Sequence, residues 1–147
     1  MTAAVGSELI EERFLGEEHR RLREGLASLQ ECIAACHRSS RSQVIEGVVR
    51  TLAWLRRDVL PHASWEDAWL YPRLDHSAGT AWATRALSLQ HEQIRELAVQ
   101  LEKAFEAAHE QWSSEVAFAL ATAMARLEAL ISSHLGQEER FIPSLLE

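Results

Sequence analysis

Hydrophobic residues recur along most of the chain at alternating steps of three and four positions, which is the spacing of one face of an α-helix. Three short polar stretches interrupt this periodicity. Ser40 is followed by Gln43 at the spacing of a capping box, which favours a helix start at that point. The pattern therefore predicts four helices, at about residues 8–38, 41–71, 80–109 and 114–142.

Short connections between long helices favour antiparallel neighbours. The expected fold is therefore all-α, an antiparallel up-down-up-down four-helix bundle. No linker or low-complexity tract divides the chain, so residues 1–147 are expected to form a single domain. Each predicted helix buries one apolar stripe, and the stripes are expected to include Leu15, Trp69 and Phe141.

The composition limits the partners and the compartment. The net charge of −7 argues against nucleic acid and anionic membranes, which attract clusters of Lys and Arg. The first residues show no secretory signal, and no apolar stretch approaches the roughly 20 residues of a membrane span. Two cysteines, Cys32 and Cys36, do not make a disulfide framework. We therefore expect a cytoplasmic protein with neither a nucleic-acid nor a membrane partner.

Six ionisable side chains occupy stripe positions that elsewhere hold Leu, Ile or Val. They are His19, His62, Glu66, His91, His134 and Glu138. A neutral histidine can be accommodated in a core, but a buried carboxylate costs several kcal/mol of desolvation unless it is compensated. The stripes contain no Lys or Arg that could do so. The six residues are therefore candidate metal ligands, and the alternative is a polar core layer without a metal.

The predicted topology brings these residues to one level of the bundle. His19 and His91 lie about eleven residues after their predicted helix starts. His62 and His134 lie about eight residues before their predicted helix ends. At 1.5 Å per residue, all four fall roughly 12–17 Å from the same end. In the second and fourth helices a glutamate follows the histidine by four positions, which places both side chains on one face.

This set of donors favours a pair of metal ions. Imidazole and carboxylate together suit iron, and less selectively manganese or zinc. Four nitrogens and two bridging carboxylates supply eight bonds, against about twelve for two six-coordinate ions. We therefore expect two iron ions, joined by an oxo or hydroxo bridge, with open positions. Such a site predicts chemistry with dioxygen, hydrogen peroxide or nitric oxide.

Four stretches of the chain resemble those of a known family. They are Glu17-Glu18-His19, His62 to Glu66-Asp67, Gln90-His91, and His134 to Glu138-Glu139. The arrangement resembles the hemerythrin-like (HHE, cation-binding) family, whose four helices carry in order a lone His, His-x3-Glu, a His and His-x3-Glu. The resemblance spans nearly the whole chain. It implies a four-helix bundle in which the six candidate ligands hold two iron ions.

The chain departs from the oxygen-carrying hemerythrins at two positions. Those proteins have a second histidine on the third helix, four positions after the first, where this chain has Arg95. They also use a carboxylate five positions after the last histidine, which would select Glu139 in place of Glu138. A set of four histidines is similar to that of the di-iron proteins that repair iron–sulfur centres, and of the iron-sensing hemerythrin domain of an F-box protein.

Neighbouring residues have several alternative roles. Asp67 and Glu139 are expected to be solvated or to orient the imidazoles. Tyr71 is expected to close the end of the bundle, and the alternative is a metal ligand or hydrogen-bond donor. Pro61 removes a backbone N–H inside the second helix, so we expect it to kink the helix and to set the direction of His62.

Other residues near the predicted site carry weaker signals. His76 is expected in a loop, with an auxiliary or gating role as the alternative. Trp65, Trp69 and Trp82 are expected to cluster near the site, either as core packing or to exclude water and shield radicals.

Three functions are compatible with the sequence. The first is a non-haem di-iron protein that binds or reacts with a small oxidant, with or without peroxidase, catalase or nitric-oxide-reducing turnover. No separate acid–base group identifies a catalytic residue. The second is a non-enzymatic sensor, store or carrier in which metal occupancy controls the stability of the bundle. The third is a metal-free interaction bundle.

Overall fold

The computed structural model describes the backbone of residues 2–146 and the side chains of residues 16–144. Within these residues all regular structure is helical, and no strand is present. The helices form a four-helix bundle, which confirms the all-α fold class that the hydrophobic periodicity predicted.

Three of the four helices are longer than predicted. α1 spans Thr2–Ala35 and passes into a short 3₁₀ turn at Cys36–Arg38. α2 is a continuous series of helical segments over residues 41–78. α3 spans Arg85–Glu110 and begins later than predicted, and α4 spans Ser114–Leu146.

α2 contains two π-helical segments, and a proline follows each of them. Leu55–Val59 precedes Pro61, and Glu66–Leu70 precedes Pro72. Inside an ordinary α-helix, the proline ring would clash with the carbonyl group four residues earlier. A π turn holds one extra residue per turn and so relieves this clash. The helix therefore continues through Pro72, where the sequence pattern predicted a break.

Local signals set the boundaries of α2 and α3. The Ser40 hydroxyl accepts the Gln43 N–H at 3.4 Å and the Gln43 side chain accepts the Ser40 N–H at 2.9 Å, which confirms the predicted capping box. α2 ends at Gly79, whose φ of 71° lies in the left-handed region that glycine favours. The turn that follows is tied back to α2, because Asp75 accepts hydrogen bonds from the backbone and side chain of Thr84. This tie delays the start of α3.

Side-chain pairs show how the helices run. In two pairs of adjacent helices, a higher residue number on one helix faces a lower number on the other. The pairs are Arg23–Glu139 and Gln30–Glu128 between α1 and α4, and Arg56–Glu102 and Asp67–Arg95 between α2 and α3. These pairs are therefore antiparallel, and the short connections complete an up-down-up-down arrangement.

Two apolar cores fill the bundle, and the candidate ligands lie between them. The larger core includes Leu29, Leu55 and Leu127, and the smaller includes Leu74 and Leu87. Along α2 the larger core ends before the first candidate ligand and the smaller core begins after the second. The ligand layer is therefore screened by apolar packing above and below.

The buried stripes differ from the prediction at two positions. Trp69 is only half-buried, and Leu70 is buried in its place, because the π turn before it adds one residue. Phe141 is 41% exposed, and Ile142 fills the core instead, four residues after the last candidate glutamate. The side chain of Leu15 lies outside the described residues.

α4 is the one helix in the described part of the chain that is long and apolar enough to cross a membrane. Its most apolar window has a mean hydropathy of 1.4, within residues 114–144. No such stretch was expected from the sequence pattern. The core helix of a soluble protein meets the same criteria, so length and composition alone are weak evidence of a span.

Candidate metal centre

All six predicted ligands lie in one buried layer of the bundle. They form two groups of four, and within each group the candidate ligand atoms lie within 4.8 Å of one another. The groups are His19, His62, Glu66, Glu138 and Glu66, His91, His134, Glu138. Because the two glutamates belong to both groups, the layer could hold two cations that share two carboxylates.

Each glutamate lies between histidines from two helices. Glu66 Oε1 is 3.1 Å from His62 Nε2 and 3.3 Å from His91 Nε2. Glu138 Oε2 is 3.1 Å from His19 Nε2 on α1, and Glu138 Oε1 is 2.8 Å from His134 Nε2 on α4. Each glutamate therefore contacts one histidine of each ligand group.

Several fully buried atoms of the layer make no hydrogen bond, although two pairs of them lie 3.1 Å apart. They are Nε2 of His19, Nε2 of His62, both carboxylate oxygens of Glu66 and Oε2 of Glu138. Buried polar atoms in native proteins are nearly always paired. Cations between these imidazole nitrogens and carboxylate oxygens would satisfy them, and the donor set suits iron, manganese or zinc. The residues therefore fit a cation site, in which these histidines and glutamates would be the ligands.

The two glutamates have different electrostatic surroundings. Burial raises the pKa of Glu66 well above its ordinary value, and the nearby Glu138 carboxyl group raises it further. Burial acts in the same direction on Glu138, but contacts with His134 and His19 outweigh it and lower the pKa of Glu138. Without a cation, Glu66 is therefore the harder of the two carboxyl groups to ionise, and a bound metal ion would favour the ionised form of both.

A ring of outer partners holds the four imidazoles. In each histidine, Nδ1 faces a polar side chain from a neighbouring helix. The pairs are Glu18 with His62, Asp67 with His91 at 2.9 Å, Gln90 with His134 at 2.7 Å, and Glu139 with His19 at 3.6 Å. Each helix thus supplies the partner for the next: α1 for α2, α2 for α3, α3 for α4, and α4 for α1. Holding Nδ1 outward turns Nε2 inward, as in metal-binding histidines generally.

Two arginines fix two of these outer carboxylates. Arg95 Nη2 donates a hydrogen bond to Asp67 Oδ2 at 2.8 Å. Burial raises the pKa of Asp67, but the contacts with Arg95 and His91 outweigh burial, so the pKa lies below its ordinary value. Arg23 donates hydrogen bonds to both oxygens of Glu139, at 3.0 and 2.7 Å, and lowers its pKa. Arg95 thus occupies the position of the second histidine of oxygen carriers, but its side chain binds an outer carboxylate.

Tyr71 reaches the centre from the smaller core. Its buried hydroxyl donates a hydrogen bond to Glu138 Oε1 and lies 3.3 Å from His91 Nε2, and its ring stacks on the His91 ring at 5.3 Å. Burial, and then the nearby carboxylates of Glu66 and Glu138, raise the pKa of Tyr71 above its ordinary value, so the hydroxyl keeps its proton. In this structure Tyr71 packs in the smaller core and acts as a hydrogen-bond donor to the centre, which is the alternative role that the sequence left open.

The six residues share a level although the helix ends do not. His91 lies six residues after the start of α3, whereas His19 lies seventeen residues after Thr2. The equal distances that the predicted boundaries implied are therefore wrong. The residues still meet because the level is set by contacts between helices, and not by where each helix stops.

Three other residues that the sequence placed near the centre, Glu139, His76 and Trp82, are exposed. Glu138 is buried in the centre, whereas the side chain of Glu139 is 43% exposed. His76 lies in the exposed last turn of α2, outside both ligand groups. Trp82 is 74% exposed and so does not join Trp65 and Trp69, and the predicted cluster of three is wrong. The loop between α2 and α3 carries Trp82 away from the bundle.

Two functional neighbours were missed by sequence reasoning: Glu18 and Gln90, the outer partners of His62 and His134. The sequence does contain a feature that identifies these outer partners. Each of the four outer partners directly precedes or follows a candidate ligand in the sequence. An adjacent residue on a helix is rotated by about 100°, so it points towards a neighbouring helix while the ligand points inward.

Comparison with known proteins gives one match. The model of the Hemerythrin HHE cation binding domain family matches residues 12–145, which include all six candidate ligands. The comparisons with curated proteins and with solved structures found no match. A family match over most of the chain agrees with the four-helix fold and with the buried histidine–glutamate layer, and the chain belongs to the hemerythrin HHE cation-binding domain family.

Proposed function

We propose that this protein is a non-haem di-iron protein that binds or reacts with a small oxidant: dioxygen, hydrogen peroxide or nitric oxide. The observation that carries the proposal is that two four-residue ligand groups share Glu66 and Glu138. Two iron ions side by side could together supply two electrons, which reduce one hydrogen peroxide to water, one dioxygen to peroxide, or two nitric oxide molecules to nitrous oxide. Sharing carboxylates is what would hold the ions side by side.

The ligand count supports an open centre. Each group offers two imidazole nitrogens and oxygens from two shared carboxylates, or four protein ligands per ion. A six-coordinate ion would retain about two positions for a bridge, water or oxidant. The apolar cores on either side favour small uncharged molecules over large or charged ones.

One residue of the chain can also donate a hydrogen bond near the centre. The hydroxyl of Tyr71 keeps its proton and donates it to Glu138 in a hydrogen bond. It lies beside His91, and therefore beside one ligand group more than the other. An oxidant bound in that half would have a donor close to it.

Solvent reaches the outside of the centre through a surface cavity. The cavity measures about 290 Å³, and its lining includes Glu18, Pro61, His62 and Trp65. It meets the outer face of His62 and the carboxylate that holds His62 Nδ1. This gives small molecules a route from solvent to the edge of the ligand layer.

The second candidate function is a sensor or store in which metal occupancy controls stability. The buried atoms of His19, His62, Glu66 and Glu138 that make no hydrogen bond favour this function. They would stay unsatisfied in metal-free protein, so iron binding is expected to stabilise the whole bundle. This coupling is compatible with either function.

Metal content and absorption test the proposal. We expect two irons per chain and charge-transfer bands around 320–380 nm, where oxo-bridged ferric pairs absorb. His62→Ala and Glu138→Ala should each lose the bands and most of the iron. His109→Ala, at an exposed position at the end of α3, is the control and should keep both. A full complement of iron in the first two variants would contradict the ligand assignment.

Reaction with the oxidant separates the two functions. Rapid loss of hydrogen peroxide or nitric oxide with the iron-loaded protein, but not with Glu138→Ala, would support a reactive centre. A stable adduct without consumption would support binding or sensing. Purified protein that binds no iron, manganese or zinc would contradict both and favour a metal-free bundle.

A further inference from the structure

A row of aromatic rings leads from the ligand layer to the surface of α2. The ring centroids of His62 and Trp65 are 6.1 Å apart, and the rings are tilted by 33°. Trp65 and Trp69 are stacked, with centroids 5.1 Å apart and planes 26° apart. The guanidinium carbon of Arg73 lies 3.8 Å from the centre of the Trp69 ring. Each ring contacts the next, from a candidate metal ligand outwards.

We propose that Trp65 and Trp69 form an electron relay between the metal centre and the protein surface. Tryptophan is among the most readily oxidised side chains, and stacked rings overlap enough for an electron to pass between them. The inference rests on the proposed function, because it requires an oxidising centre next to His62. The relay would remove oxidising equivalents that otherwise damage the buried ligands.

Arg73 determines where the oxidised state rests. A positive charge over the face of an aromatic ring stabilises the electron-rich neutral ring and disfavours its radical cation. Trp69, under Arg73, is therefore harder to oxidise than Trp65. The oxidised state is therefore shared between the stacked rings, mainly on Trp65, the ring nearer to the centre, and in smaller part on Trp69.

The surface cavity gives a reductant access to that ring. Trp65 is half-buried and lines the 290 Å³ cavity that also reaches His62. A small organic molecule in this cavity would contact Trp65 directly. The cavity that serves the edge of the ligand layer thus also serves the relay.

The proposed step transfers one electron from Trp65 during the reduction of hydrogen peroxide. Reduction of one hydrogen peroxide to two waters consumes two electrons and two protons. If a bound metal pair supplied only one of these electrons and solvent supplied the two protons, Trp65 would supply the other electron and its indole N–H would release a proton to the cavity. The metal pair would then be one electron more oxidised than before. A one-electron reductant of the phenol, enediol or thiol class returns one electron and one proton, which restores the neutral indole.

Peptide mapping after oxidation tests the relay, with Trp82 as an internal control. Iron-loaded and metal-free protein are treated with hydrogen peroxide in the absence of reductant, and oxygenated tryptophans are located by mass spectrometry. Trp82 is the more accessible ring, at 74% exposure, but lies outside the row. We expect iron-dependent oxidation at Trp65 and Trp69 that exceeds that at Trp82, and a tryptophanyl radical by EPR. Oxidation that follows exposure, with or without iron, would overturn the relay.

Two variants test the order of the rings. Trp69→Phe should keep iron-dependent oxidation of Trp65. Trp65→Phe should lose the oxidation of Trp69, because the stacked path from His62 is broken. Both variants should keep the iron content and absorption of the parent protein, which shows that the fold is intact. Undiminished oxidation of Trp69 in Trp65→Phe would mean that a diffusing oxidant, and not the relay, reaches it.

Two substitutions of Arg73, one that removes the positive charge and one that keeps it, test its effect on the rings. Arg73→Gln should move oxidation products from Trp65 towards Trp69, whereas Arg73→Lys keeps the charge and should keep the parent distribution. An unchanged distribution in Arg73→Gln would overturn the placement of the oxidised state on Trp65.

Peroxide consumption in the same samples distinguishes failure of the relay from failure of the proposed function. Consumption by iron-loaded protein without oxidation of Trp65 or Trp69 would overturn the relay and leave the proposed function standing. Absence of bound iron, or of any reaction with peroxide, dioxygen or nitric oxide, would overturn both.

Discussion

At the scale of single residues, the candidate centre depends on pairs of adjacent side chains that point in different directions. One residue of each pair points inward to the ligand layer, and its neighbour points to the histidine of another helix. Three of the outer partners are carboxylates, and the fourth, Gln90, is an amide. A carboxylate on Nδ1 both orients the imidazole and makes Nε2 a stronger donor to a metal.

Glu18→Gln tests this outer ring. Glutamine keeps the size of the side chain but removes the charge that faces His62 Nδ1. We expect iron affinity to fall about 10–100-fold, as is typical when an outer partner of a ligand is changed. The affinity is measured by competition with a chelator of known strength.

Glu17→Gln is the matched control, because Glu17 is the preceding residue of α1 and is exposed. It makes the same chemical change one position away and should leave iron affinity unchanged. Equal affinities in the two variants would show that the contact between Glu18 and His62 does not support metal binding.

At the scale of helices, α2 is the element that departs most from simple periodicity. Its second π segment begins at Glu66 and is followed directly by Tyr71. In an α-helix, residues five apart point in different directions, but the extra residue of a π turn brings them to one face. Tyr71 and Glu66 therefore both face the interior. A regular helix would have turned Trp69 inward instead, as the stripe pattern predicted.

The packing of α1 against α2 gives a testable contrast between two glycines of α1. A Cβ atom at Gly25 would lie 2.0 Å from Nε1 of Trp54, whose ring is buried and cannot move aside freely. A Cβ atom at Gly16 would meet nothing within 4 Å. Gly25→Ala should therefore lower the free energy of unfolding by about 1–3 kcal/mol. Gly16→Ala should raise it by about 0.5–1 kcal/mol, through helix propensity alone.

Urea unfolding of the two variants measures this difference. Both substitutions lie in the same helix, so a general effect of alanine would change both stabilities in the same direction. Opposite signs are the expected result. Stabilisation by Gly25→Ala would show that α1 and α2 are not packed as closely at Trp54 as the structure has them.

At the scale of the whole molecule, the metal layer connects all four helices. Each helix contributes at least one candidate ligand and one outer partner, so the layer forms a closed ring of contacts around the bundle axis. The two apolar cores stabilise the bundle on either side of it. Metal binding at this layer is therefore expected to stabilise the whole fold, and not one helix.

Removal of the metal tests that coupling. A ligand present at 100 times its dissociation constant stabilises the folded state by about 2.7 kcal/mol. For a chain of this length, we expect a chelator to lower the melting temperature by roughly 5–11 °C. The shift is measured by circular dichroism with and without iron.

Glu138→Ala provides the reference for this experiment, because it removes one of the two shared carboxylates. Its melting temperature should not respond to iron or to the chelator. An equal response in this variant and in the parent protein would place the stabilising metal outside the layer.

The sequence by itself determined the number of helices, the six residues of the candidate centre and the Ser40 cap. These features are local, or follow from the burial of charged groups at core positions, so periodicity and spacing are enough to find them. The family resemblance rested on the same residues. The pattern did not predict the helix ends correctly. The second helix continues through Pro72 to Gly79, and the third begins only after Thr84, several residues from the predicted positions.

The tertiary structure alone decided which side chains meet across helices. Glu18 and Gln90 serve histidines that lie 44 positions away in the sequence, and no local rule connects them. The inward turn of Tyr71 depends on a π segment, and the separation of Trp82 from the Trp65–Trp69 stack depends on the path of a loop. The physical reason is common to all three. Periodicity specifies which face of a helix is buried, but the rotation and level of each helix are set only when the four pack together.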